Sequence, residues 1–189
     1  MRTLRAALLL ITTLVAVPAV ADKYSDTIDL FKNAGQSAAF FGKSYGYAVF
    51  PTIGKAGFGI GGAYGEGRVY AGGKPTGDTK MFQASIGFQL GGEGYSQIVF
   101  LEDKRAYDEF TSGNFEFGAN VGAIVITAAA SGTASTSGAS GSASAGKKEA
   151  ATAGQYYKGM AVFIIAKGGL MYEASVSGQK FTYKPLGAK

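Results

Sequence analysis

Residues 45–70, YGYAVFPTIGKAGFGIGGAYGEGRVY, carry the pattern that decides the fold. An aromatic and apolar run reaches Pro51, and beyond it Gly54, Gly57, Gly59, Gly61, Gly62, Gly65 and Gly67 alternate with apolar or aromatic residues. Alternation with period two is a strand signal. Glycine weakens a strand, so its recurrence there marks places where another backbone or a ring comes close. Gly57, Gly59 and Gly61 share one strand face, and Phe58 and Ile60 point the other way. The expected partner of that glycine face is a Phe or Tyr from an N-terminal helix. Its functional alternative is a glycine-lined groove for an acyl chain or a lipid head group.

Upstream, Tyr24, Ile28, Phe31, Ala38 and Phe41 recur at helical spacing over residues 22–41, with Asp22, Asp26, Asp29, Asn33 and Gln36 on the opposite stripe. This periodicity predicts one amphipathic helix ended by Gly42, its acidic first turns suiting the positive end of the helix dipole. A surface-seeking helix would carry excess Lys and Arg on its polar face. Here Lys23, Lys32 and Lys43 only balance the aspartates, so packing on a sheet is the expected role. Downstream, strands are expected at 45–50, 56–64, 67–71, 80–90, 94–101, 114–127, 155–166, 169–176 and 180–183. Their spacing and Gly-rich turns argue a mostly antiparallel system, with 72–78, GGKPTGD, as a hairpin loop. A second short helix is expected at 102–111, placing Ala106, Tyr107 and Phe110 on one side and stopping at Ser112-Gly113. The run 128–154 is almost wholly Ala, Ser, Gly and Thr, which buries too little apolar area to offset its ordering entropy. It reads as a flexible surface loop between two strands. The expected fold class is α+β: an antiparallel, curved or barrel-like β-sheet system packed with an N-terminal amphipathic helix and a second short helix.

The first 21 residues place Arg2 and Arg5 before an apolar run and then Pro18 and Ala19-Val20-Ala21, the order of a secretory signal cleaved before Asp22. The apolar run falls short of the about 20 residues that span a bilayer. Residues 22–189 then form a single domain, long enough for a real core. Export, to the periplasm and peripheral to a membrane, is the expected localisation. The chain has no Cys and no His, so it has neither disulfides nor the usual zinc and copper ligands, and no metal or cofactor is expected. Without Arg2 and Arg5 the 18 basic residues become 16, against 13 acidic, a charge of +3. That balance weakly favours an anionic surface, and no nucleic-acid partner is expected.

Catalytic motifs are poorly supplied. Gly57 to Gly62 satisfies G-x-G-x-x-G, yet a dinucleotide site needs a helix to follow, and here Gly-rich strand follows. GSASAGKK at 141–148 lacks the Ser or Thr that would hold magnesium in a P-loop. Ser96, Ser175 and Ser177 have no base at a pairing distance in sequence, and Glu93, Glu102, Glu116 and Glu173 are scattered. A non-enzyme is expected.

The glycine-aromatic stretch at 45–70, GANVG at 118–122 and KGGLMYEASVSGQKF at 167–181 together resemble the SYLF domain family, over roughly Tyr24 to Tyr183 and closest to its bacterial members. The resemblance implies a lipid-binding module; eukaryotic members recognise phosphoinositides and some bind actin. The implied function is non-catalytic binding of anionic phospholipid or another membrane component in the bacterial cell envelope. A protein-interaction module of the envelope and a small outer-membrane β-barrel are the alternatives. The candidate head-group residues are basic side chains bordering apolar sequence: Lys43 after Phe40 and Phe41, Lys55 and Arg68 at the two ends of the glycine stretch, and Lys167 before Gly168-Gly169.

Overall fold

A computed structural model describes residues 22–117, 123–126 and 156–187. The signal segment, GANVG and the Ala/Ser/Gly-rich run lie outside the described residues. The N-terminal periodicity yields two helices rather than one, α1 (Lys23–Lys32) and α2 (Gly35–Ala38). Asn33 turns its side-chain amide onto Asp29 O at 2.9 Å, and Ser37 Oγ donates to Phe31 O and Ala34 O, so side chains compete for the carbonyls that would continue α1. Gly35 completes the break with φ +27°.

Three long strands follow this pair: β1 (Gly46–Ala71), β2 (Lys74–Leu101) and, at the end of the chain, β5 (Met160–Pro185). Between them come α3 (Lys104–Phe110), β3 (Phe115–Phe117) and β4 (Ala123–Ile126). The sheet runs β1-β2-β5-β3, antiparallel throughout, and β4 adds to β5 in parallel. That parallel pair is the exception in a mostly antiparallel system, as expected. It needs a connection of a dozen or more residues, which the chain between Ile126 and Met160 supplies. No ladder joins β1 to β3 or β4, so the described sheet is not closed into a barrel.

Eight of the nine expected strands fuse into β1, β2 and β5, because the gaps within each carry glycines rather than turns, whereas the expected strand at 114–127 is described as the two short strands β3 and β4. Gly54 pairs with Gly94 and Gly94 with Gly168, a line of glycines across the three long strands. Bulges at Phe50/Ile53, at Phe58/Ile60 and at Gly94/Tyr95 twist the strands there without ending them. The hairpin between β1 and β2 needs only Gly72 and Gly73, with φ +56° and +76°, the left-handed pair of a two-residue type I′ turn. Lys74 to Asp78, expected in the loop, continue the strand.

A straight strand of 26 residues would reach about 85 Å. β1 instead doubles back, so that its second half lies against its first. The Cβ that Gly67 lacks would sit 2.7 Å from Val49 O and 2.6 Å from the Phe50 ring. Gly65 likewise faces Ile53 and Thr52, and Gly46 faces Tyr70 and Ala71. The close partner of Gly65 and Gly67 is thus the first half of β1 itself. A Cβ added at Gly59 (φ +70°), on the face expected to pack against the helix, would meet nothing within 4 Å; the residue lies in the bulge at Phe58/Ile60.

The doubled ribbon buries a core on each face. Inside lie Phe50, Ile53, Val69, Met81, Val99, Leu101 and Phe181, capped by Ala106 and Phe110 of α3. The Phe50/Ile53 bulge lets two residues three apart both point inward, where plain alternation would separate them. Outside, α1 covers Val49, Tyr70, Ile98, Phe100 and Phe163 with Tyr24, Ile28 and Phe31, and Phe40 and Phe41, just past α2, pack on the same cluster. α3 begins at Asp103, whose carboxylate accepts from Ala106 N at 2.8 Å, and Gly113 (φ +94°) lies past its end, close to the expected bounds.

Candidate functional site

The six expected site residues fall into four environments. Phe40 and Phe41 belong to the outer core: Phe40 packs on Phe163, Tyr156 and Phe100 at 4.9–5.4 Å between ring centres, and Phe41 on Phe100 and Tyr47 at 4.9 and 5.2 Å. Lys55 points to the inner face, its side chain 8% exposed and its Nζ 4.0 Å from Glu93 Oε1. Arg68 is clamped: Nε donates to Asp78 Oδ1 at 2.9 Å, Nη1 is 3.9 Å from Asp22 Oδ2, and the guanidinium lies 4.5 Å from the centre of the Tyr24 ring. The hydrogen bond to Asp78 holds it further in its charged form. This clamp ties the start of α1 to β1 and β2. Arg68→Met is expected to lower stability by on the order of 1 kcal/mol, since the pairs are partly exposed and the ring contact contributes a similar amount. An unchanged urea midpoint would show the clamp to be idle. Lys43 and Lys167 are exposed.

Of these six, Lys167 reaches a feature of its own. Where Pro51 and Thr52 pass Tyr64, Gly65 and Glu66, the closure of β1 on itself leaves a cleft of about 190 Å³, with Lys23 of α1 also lining it. Lys167 Nζ donates to Thr52 Oγ1 at 3.0 Å. On the other side the Tyr64 hydroxyl donates to Glu66 Oε1 at 2.8 Å, and Lys80 Nζ approaches the same oxygen at 3.6 Å. The Tyr64 hydrogen bond, helped by Lys80, holds the Glu66 carboxyl below the usual carboxylate range, and Glu66 in turn pushes the Tyr64 hydroxyl up.

Beside the cleft the outward face of β1 and β2 is apolar. Phe58 is 83% and Ile60 73% exposed, and Tyr64, Phe82 and Leu90 are about half exposed. Phe58 stands opposite Leu90 and Tyr64 opposite Phe82, their rings 5.2 Å apart. Lys80, Lys180 and Lys167 border this face; Lys180 stands opposite Phe82 and pairs with Glu116 at 3.1 Å. A group of large apolar side chains turned to solvent and rimmed by charge marks an interaction surface.

The arrangement inverts ordinary strand amphipathicity. From Gly61 to Gly67 the inward positions hold Gly61, Ala63, Gly65 and Gly67, while the outward ones include Tyr64 and Glu66. The inward space is already filled by Phe50 and Ile53 from the other half of the strand. Sequence reading separated the glycine face from Phe58 and Ile60, expected it to pack against a ring, and offered a glycine-lined groove only as the functional alternative. Tyr64, Thr52, Lys23, Phe82 and Leu90 carried no local signal, because the fold back of β1 gathers them. Ser96, weighed as a nucleophile, is buried and donates to Pro51 O at 2.7 Å, a structural bond at the Phe50/Ile53 bulge. Among the described residues no helix is long and apolar enough to cross a membrane.

A family model described as "Ysc84: Las17-binding protein actin regulator" matches residues 82–185, more than half of the chain. The match takes in β2 from residue 82 on, α3, β3, β4 and β5, and the glycine-aromatic stretch lies upstream of it. The chain is also similar to Beta cell expansion factor A of Aeromonas veronii, 29% identical over 170 residues, covering 88% of this chain and 56% of that relative. It therefore spans little more than half the length of the curated relative it matches. No solved structure matches the chain with significance.

Proposed function

Because the chain belongs to the Ysc84 (SYLF) family, a family of binding domains, we propose that it binds anionic phospholipid, without catalysis, at a membrane surface of the bacterial cell envelope. In this reading the protein is exported, periplasmic and peripheral to the membrane. The observation that carries it is the outward exposure of Phe58 and Ile60 beside the bulge at Gly59. Each would gain about 1.5–3 kcal/mol on full burial, and less at the shallow depth of an interface. Lysines at the rim suit an anionic surface, each contributing about 1 kcal/mol when held near it. Lys43, Lys167, Lys80 and Lys180 are the exposed candidates for that contact.

Co-sedimentation with vesicles tests the reading. The protein is expected to pellet with phosphatidylglycerol vesicles at low salt, less at physiological salt, and weakly with phosphatidylcholine. Phe58→Ser with Ile60→Ser should weaken the anionic binding by about tenfold or more. Absence of binding to either vesicle, or binding indifferent to both substitutions, would overturn it. Retention of a protein partner after lipid removal would then favour the protein-binding role that the family description names.

A further inference from the structure

We infer that two copies of this chain pack the outward face of β1 and β2 against each other in water, so that the dimer withholds from a membrane the face that the monomer presents. The withholding rests on the membrane reading; the pairing of copies does not.

Phe58 and Ile60 are mostly exposed, and Tyr64, Phe82 and Leu90 are about half exposed. A whole aromatic side chain offers about 200 Å² and an aliphatic one somewhat less, so these five leave roughly 500 Å² of apolar side chain in water on each copy. A patch of that size marks a contact surface. Two such faces remove roughly 1,000 Å² before backbone and rim are counted, the lower end of what a specific interface buries.

The register indicates a second copy as the partner. Tyr64 stands opposite Phe82, and the next outward pair is Gly62 opposite Ala84, with Gly178 beyond Ala84 on β5. A raised row of rings therefore borders an exposed low row whose largest side chain is a methyl group, and Ile60 follows on the far side. Turned about a two-fold axis near Ala84, the rings of one copy come over the low row of the other, and the same contact is made twice. Sheets packed face to face interlock their side chains at a spacing of about 10 Å. The rim also suits an identical partner. Bare lysines at positions 80 and 180 would repel their counterparts, but Glu66 lies 3.6 Å from Lys80 and Glu116 lies 3.1 Å from Lys180. Each of these rim lysines brings a carboxylate, which balances the rim and offers the opposite copy's lysine a partner.

Sedimentation velocity of the chain as exported tests the pairing. A monomer is expected to give way to a dimer as concentration rises, with a midpoint on the order of 10 μM. Added salt should leave the dimer in place, because apolar burial rather than rim charge holds it. Phe58→Ser with Ile60→Ser should weaken it by about tenfold or more, and both side chains face water, so the monomer's fold is not threatened. The chain has no cysteine, so one introduced near the axis reports the geometry. Ala84→Cys should be joined into a dimer by a short bis-maleimide, and Asp108→Cys, exposed on α3, should not. Linkage raises the partner's effective concentration to the order of millimolar. The linked dimer is therefore expected to bind phosphatidylglycerol vesicles about tenfold less than the unlinked Ala84→Cys chain below its midpoint. A monomer at every concentration, a dimer indifferent to the two serines, or equal linking at the two cysteines would overturn the pairing. Equal vesicle binding by linked and unlinked chains would overturn the withholding. Vesicle binding by a chain that stays monomeric would sink this inference and leave the membrane reading standing. A dimer linked through position 84 whose unlinked form ignores vesicles would sink the membrane reading and leave the paired faces.

Discussion

Gly67→Val is expected to lower the stability of the domain by roughly 3 kcal/mol or more, read as a fall in the urea midpoint with an unchanged slope. Even the first added carbon meets Val49 O at 2.7 Å and the Phe50 ring at 2.6 Å. Backbone cannot step aside as a flexible side chain can, so the two halves of β1 must separate. Gly54 provides the control, since a Cβ there would meet nothing within 4 Å. Gly54→Ala should be neutral, or stabilising by up to about 1 kcal/mol through the unfolded state. If the two substitutions cost the same, the glycines would matter for strand propensity alone and the doubled strand would be wrong.

Phe181→Ala is expected to cost about 3–5 kcal/mol, a large share of the roughly 5–15 kcal/mol that holds a domain together. Phe181 is wholly buried, with ring centres 5.7 Å from Phe50, 5.1 Å from Phe110 and 6.3 Å from Phe115. It therefore joins the late end of β5 to the early part of β1, to α3 and to β3. The cavity left by its removal would open where four elements meet, and none of them can collapse without shifting the others. Thermal unfolding followed by circular dichroism measures the loss. A change below about 1 kcal/mol would mean that the inner core is not continuous across the doubled ribbon.

Both expectations concern long-range closure, and there the sequence was least legible. Local chemistry was read well where a few residues decide it. The period of Tyr24, Ile28 and Phe31 gave a helix, Asp103 and Gly113 bracket α3 as its pattern suggested, and alternation marked the strands. The break at Asn33 to Gly35 escaped, because Ser37 and Asn33 compete for carbonyls only once the chain turns there. Glycines between strand runs were read as turns, whereas in register with one another they form a line along which three paired strands continue. The candidate basic residues show the same limit. Arg68 and Lys55 border apolar sequence, the pattern expected of a head-group residue, but Asp78, Asp22 and Glu93 face them from elsewhere in the chain.

By itself, the sequence determined the α+β composition, the family likeness and a glycine face opposed to an apolar one, since each follows from residue type and a period of two or 3.6. Which face turns inward was decided by the tertiary structure alone. Folding β1 onto itself sets Ile53 and Phe50 against Gly65 and Gly67 and leaves Phe58, Ile60 and Tyr64 facing water. The same closure sets Pro51 and Thr52 beside Tyr64 and Glu66, residues whose meeting no local pattern specifies. The physical reason is that inward space is limited: once one half of the strand supplies the large side chains, the other half can approach only with small ones.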